Sequence, residues 1–147
     1  TLHSLGASPN PLIRESVASV AYVLVLIAQT NEAHAIDLYV SLMVDSSESV
    51  SRTAIESLHA LGPFLQHQDN VFHSLLPQIQ LLAASPRWRV RWQVMLLMKQ
   101  LAEYLPSGDL IISVISLGIR DATAQVRTSA IDVLATASQL HGPQWSA

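Results

Sequence analysis

One short pattern returns four times along this chain. It reads Ile13-Arg14-Glu15-Ser16-Val17, Val50-Ser51-Arg52-Thr53-Ala54, Val90-Arg91-Trp92-Gln93-Val94 and Val126-Arg127-Thr128-Ser129-Ala130. The β-branched lead residues, at 13, 50, 90 and 126, stand 37, 40 and 36 positions apart. A period near forty residues matches a pair of helices, so it predicts stacked helical hairpins rather than a globule with one central pocket. Such a stack offers an extended surface, and it points to a protein that holds other proteins.

With the copies in register, the apolar positions coincide. Four, eight and eleven residues after each lead residue stand Val17, Ala21 and Leu24; Ala54, Leu58 and Leu61; Val94, Met98 and Leu101; Ala130, Leu134 and Ala137. Steps of four, four and three stay on one face of a helix with 3.6 residues per turn. Each pattern therefore opens the second helix of a pair, helix B. A shorter helix A precedes it, with Ile36 and Tyr39, Leu76 and Ile79, and Ile112 and Ile115 at matching core positions. The predicted helices are 12–28, 34–44, 48–65, 70–84, 88–104, 109–119 and 123–140. Pro77 removes one backbone donor from the helix A of the third unit and is expected to kink it.

The turns from A to B read Ser8-Pro9-Asn10-Pro11, Asp45-Ser46-Ser47-Glu48, Ser85-Pro86-Arg87-Trp88 and Asp121-Ala122-Thr123-Ala124, and each offers an Asp or Ser able to cap helix B. The loops from B to A are polar or hold helix breakers. The expected organisation is one array: a partial unit at 1–30 and units at 31–67, 68–106 and 107–147. Only Thr1 to Leu5 precede the first turn where a full helix A belongs, which suggests a piece of a longer array.

Composition narrows the function. Half of the 147 residues are apolar, 13% are charged, and the net charge is −3. The only basic cluster is Arg87-Trp88-Arg89-Val90-Arg91, too short for the positive stripe of a nucleic-acid surface. Cysteine is absent, which removes disulfides, thiolate metal sites and cysteine nucleophiles. The most apolar run, Val17 to Ala28, broken only by Ser19, spans about 18 Å as helix against roughly 30 Å of bilayer core, so a buried helix is expected and no membrane partner. The six histidines show no metal-ligand spacing, and neither a nucleophile elbow nor a glycine-rich phosphate loop occurs. The expectation is a non-enzymatic protein without cofactor or metal.

An Asp followed five residues later by Val and then Arg is the pattern of HEAT repeats. Asp121-Val126-Arg127 carries it whole; the third unit has Ser85 for the Asp, the second has Ser51 for the Arg, and the first reads Ser8, Ile13 and Arg14. The chain thus resembles an all-α HEAT-repeat solenoid. In that family the Asp and Arg form a ladder between adjacent repeats, which implies structural roles for Asp45, Asp121, Arg14, Arg91 and Arg127. Asp45 with Arg91 is the expected cross-repeat pair.

Ser74-Leu75-Leu76-Pro77-Gln78-Ile79 followed by Trp88-Arg89-Val90-Arg91 resembles, more closely, the scaffold (A) subunits of protein phosphatase 2A. There a Leu-Leu-Pro helix leads to a Lys-Trp-Arg-Val-Arg turn in the later repeats. Gly142-Pro143-Gln144-Trp145 and the stretch from Asn10 to Ala21 are also similar to that family. The resemblance implies a non-catalytic scaffold that binds a serine/threonine phosphatase catalytic subunit along its A-to-B turns and a regulatory subunit through earlier repeats. It places the partner contact on Trp88 and Arg89, with Arg87 adding charge complementarity, and implies a cytoplasmic and nuclear protein. The next turn in the family carries an aromatic contact; Ala124 stands there in this chain. A HEAT array that binds tubulin, or one that acts as a transport receptor, is the alternative. The negative net charge and the single Trp-bearing turn make tubulin a poor match.

Overall fold

The computed structural model describes residues 2–27, 32–65, 69–104 and 109–141. Within them the chain is all-α, with no strand. The helices are α1 (Leu2–Gly6), α2 (Pro11–Ile27), α3 (Glu32–Met43), α4 (Glu48–Ser57), α5 (Gly62–Leu65), α6 (Asp69–Ala83), α7 (Trp88–Leu101), α8 (Asp109–Ile119) and α9 (Ala124–His141). Each expected helix B begins within one residue of its observed start.

One predicted helix is not continuous. The segment expected as a single helix over 48–65 is α4, then a 3₁₀ turn over Leu58–Leu61, then α5. Pro63 has no N–H to return to the His59 carbonyl, and the Gly62 N–H takes that carbonyl at the tighter 3₁₀ spacing. By contrast α6 continues through Pro77, which faces solvent.

Packing follows the chain order. Each A helix lies on its own B helix, α3 on α4, α6 on α7 and α8 on α9, while B helices touch the next B helices in the order α2, α4, α7, α9. One buried cluster runs through all four units, including Val17, Tyr39, Val50, Ala54, Leu58, Ile79, Val94, Met98, Ile115, Val126 and Ala130. Each large aliphatic side chain taken fully from water contributes about 1.5–3 kcal/mol, so this seam is the main source of stability. The small residues Ala21, Ala54 and Ala130 are buried in this seam, and Ala130 lies against Gly118 of α8.

Three expected core residues are exposed instead. Leu134 and Ile112 belong to the last pair, on which no further helix among the described residues packs, so positions that are buried at Met98 and Ile36 stay open there. Ile13 leads the first unit, where the five-residue α1 covers less than a full helix A. The side chains of Leu24 and Leu76, and the segment Gly142 to Trp145, lie outside the described residues. Among the described residues, no helix is long and apolar enough to cross a membrane.

Candidate functional site

The four A-to-B turns are closed alike. The residue five before each lead accepts the N–H two residues on: Ser8 Oγ from Asn10 (3.2 Å), Asp45 Oδ1 from Ser47 (2.8 Å), Ser85 Oγ from Arg87 (3.2 Å) and Asp121 Oδ1 from Thr123 (2.8 Å). These side chains therefore close the turn rather than cap helix B, as the sequence had suggested. The residues at the helix-capping position, Ser47 and Arg87, make no side-chain cap bond; Asn10 Oδ1 does cap, taking the Leu12 N–H at 3.0 Å with Pro11 at the first helical position.

The arginine after the lead residue then clasps its own turn. Arg14 donates to the Ser8 carbonyl (2.8 Å), Arg91 to the Ser85 carbonyl (2.7 Å) and Arg127 to the Asp121 carbonyl (2.7 Å). Two of these arginines also reach into the next unit through a bidentate fork. Arg14 Nε and Nη2 donate to Asp45 at 2.7 and 3.0 Å, and Arg91 Nε and Nη2 donate to Asp121 at 2.6 and 3.0 Å. The guanidinium bonds hold both carboxyls below the usual carboxylate range, against the opposing effect of partial burial. The expected pairing of Asp45 with Arg91 is wrong: each arginine grips the aspartate one unit later, so Asp45 belongs to Arg14 and Arg91 to Asp121. Arg127 repeats the clasp on its own turn.

The junction between the second and third units has no such pair. Ser51 stands where the arginine belongs and Ser85 where the aspartate belongs, so both halves of the pair are missing together. Ser51 is buried and turns its hydroxyl onto the Met43 carbonyl at 2.7 Å. Ser51 lines a cavity of about 490 Å³ at this junction.

Arg87, Trp88 and Arg89, the three residues expected to bind a partner, all line this cavity. Arg87 ends the turn and Trp88 opens α7. Trp88 is half-buried against the core, with Trp92 tilted beside it at 6.3 Å between ring centroids. The Arg89 guanidinium lies 4.8 Å from the Trp88 ring centroid and within 3.2 Å of Glu48 across the junction. Both partners of that ion pair are more than half exposed, so it contributes no more than ~1 kcal/mol and is easily exchanged for another partner. The Trp-Arg step shares this wall with Arg52, Glu48, Trp92 and Gln93, which the sequence did not single out. The signal was present in the register: at the position of Gln93 the other units carry only Ser16, Thr53 and Ser129, all smaller.

The wall carries three arginines and one glutamate, in a chain whose net charge is negative. It is thus a local positive centre beside two indole rings, suited to an acidic group with an apolar flank. Among the described residues, no group of His, Asp and Glu is placed to hold a metal ion. Neither the protein-family models nor the curated proteins compared with this chain match it.

Proposed function

We propose that this chain is a segment of a HEAT-repeat solenoid and serves as a non-catalytic scaffold that binds the catalytic subunit of a protein serine/threonine phosphatase. The observation that carries this reading is the gathering of Trp88, Arg89 and Arg87 on one A-to-B turn, around a positively charged cavity. The like construction of the four turns and the ordered packing of B helices support the solenoid. In this reading Trp88 is the anchor: an indole backed by the core loses little freedom on binding, and such residues dominate interface energetics. Arg89 exchanges Glu48 for an acidic group of the partner, and Arg87 strengthens the local field that draws that group in. The stack presents enzyme and regulatory subunit to one another, and small adjustments between adjacent units adapt its curvature. A cytoplasmic and nuclear location accompanies this role.

The test is binding of the chain to a phosphatase catalytic subunit, with Trp88→Ala and Arg89→Glu beside the parent. Loss of about 2 kcal/mol or more at Trp88, roughly thirtyfold in affinity, is expected of an anchor. Arg89→Glu sets a like charge against Glu48 and repels an acidic partner, so it is expected to weaken binding as well. Unchanged affinity in both variants refutes the assignment.

A further inference from the structure

The first and last junctions share one plan of two cross-unit bonds; among the described residues the middle junction lacks both and is crossed instead by the exposed Arg89–Glu48 ion pair. At the first junction Arg14 grips Asp45, and the Thr53 hydroxyl donates to Glu15 Oε1 at 3.3 Å. At the last junction Arg91 grips Asp121, and Trp92 Nε1 donates to Ser129 Oγ at 3.0 Å. In the same register the middle junction has Ser51 and Ser85 at the places of the first pair, and Arg52 and Gln93 at the places of the second. Neither pair is bonded. Arg52 is exposed and forms no ion pair among the described residues. Gln93 is only 7% exposed, yet its side-chain amide has no hydrogen-bond partner among the described residues. Buried amides are nearly always satisfied, so an orphaned one on the wall of a cavity marks a place where a ligand supplies the missing partner.

We propose that this gap is a receptor for a carboxylate carried by an acidic peptide segment of a partner, with an apolar side chain next to the acid resting against Trp88. Arg52 and Arg87 stand on the two sides of the junction, and a guanidinium offers a planar fork of N–H donors that matches a carboxylate. The Gln93 amide supplies a neutral donor from the buried side. Glu48 already meets Arg89 across this junction, at the exposed rim; the bound acid then meets Arg52 and Arg87, the two arginines of the wall without an ion pair among the described residues, and adds at the middle junction a carboxylate comparable to Asp45 and Asp121 at the other two. A peptide suits the space better than a free small anion: the cavity exceeds the volume of one carboxylate, and the two indoles beside the arginines match an apolar neighbour. The inference rests on the scaffold reading for the source of the acid, and on Arg52 and Gln93 for the site.

The test is isothermal titration calorimetry of the chain with acetyl-Glu-Leu-Asp-amide, the matched neutral acetyl-Gln-Leu-Asn-amide, and inorganic phosphate. Saturable one-to-one binding of the acidic peptide, no binding of the neutral one, and at least a tenfold loss in Arg52→Gln are expected. Arg52 is exposed, so that variant keeps its fold; Gln93→Leu, with helical circular dichroism checked, is the second variant and is expected to weaken binding too. No saturable binding of the acidic peptide, or equal affinity in parent and Arg52→Gln, overturns the proposal. Tighter binding of phosphate than of the peptide overturns the peptide as occupant. No phosphatase enters this assay, so failure of the scaffold reading and failure of this site give separate results.

Discussion

The fork between Arg91 and Asp121 allows a quantitative prediction. It joins two units through two charge-assisted hydrogen bonds of 2.6 and 3.0 Å, with the Arg91 and Asp121 side chains 17% and 7% exposed. Hydrogen bonds to charged groups contribute about 1.5–3 kcal/mol when well shielded. An open surface pair gives about 0–1 kcal/mol. The turn edge lies between these limits and is reached by solvent, so a coupling energy of about 1 kcal/mol is expected from a double-mutant cycle of Arg91→Gln and Asp121→Asn followed by urea unfolding. The cycle cancels the separate bond from Arg91 to the Ser85 carbonyl, which the single Arg91 variant also loses. The pH dependence supplies an independent check. Because the folded-state pKa of Asp121 is lowered by Arg91, its contribution is complete above the ordinary aspartate value of about 3.9 and is lost as pH falls from there through the lowered value. The parent should therefore lose stability below about pH 4 more steeply than Asp121→Asn. A coupling energy near zero, or identical acid profiles in parent and variant, refutes the view that this fork ties the units together.

Two further outcomes test the packing. Val94 is fully buried on α7, so Val94→Asp places an unpaired charge in the seam and is expected to cost on the order of 3–5 kcal/mol, read as loss of helical circular dichroism or a much lower Tm. Val90 is a weaker choice for that test, since it borders the cavity and an acid there would meet arginines. The Tyr39 hydroxyl donates to the Ala54 carbonyl at 3.0 Å and meets Ser57, and burial pushes its pKa up; Tyr39→Phe is expected to cost about 1 kcal/mol in urea unfolding, with unchanged stability refuting the hydrogen-bonded role.

The period, the helix pairs and the buried face of each helix B were legible in the sequence, because a helix writes its buried face at fixed spacing and needs no knowledge of its neighbours. That spacing gave Val17, Ala54, Val94 and Ala130 their common place. The exposure of Leu134 and Ile112 was not legible, since burial depends on whether another helix lies on top. Charge pairing was hidden for a related reason. The sequence shows that Arg14, Arg91, Asp45 and Asp121 occupy equivalent positions, but not whether an arginine reaches forward or back. Only the stacking direction of the units decides that, and it sends each fork to the next aspartate. The middle junction combines the two kinds of information. The sequence by itself determined that Ser51 and Ser85 both depart from the pattern; only the tertiary structure placed Ser51 on the wall of a cavity with Gln93, whose buried amide has no hydrogen-bond partner among the described residues, because a short side chain there does not reach across to the next unit.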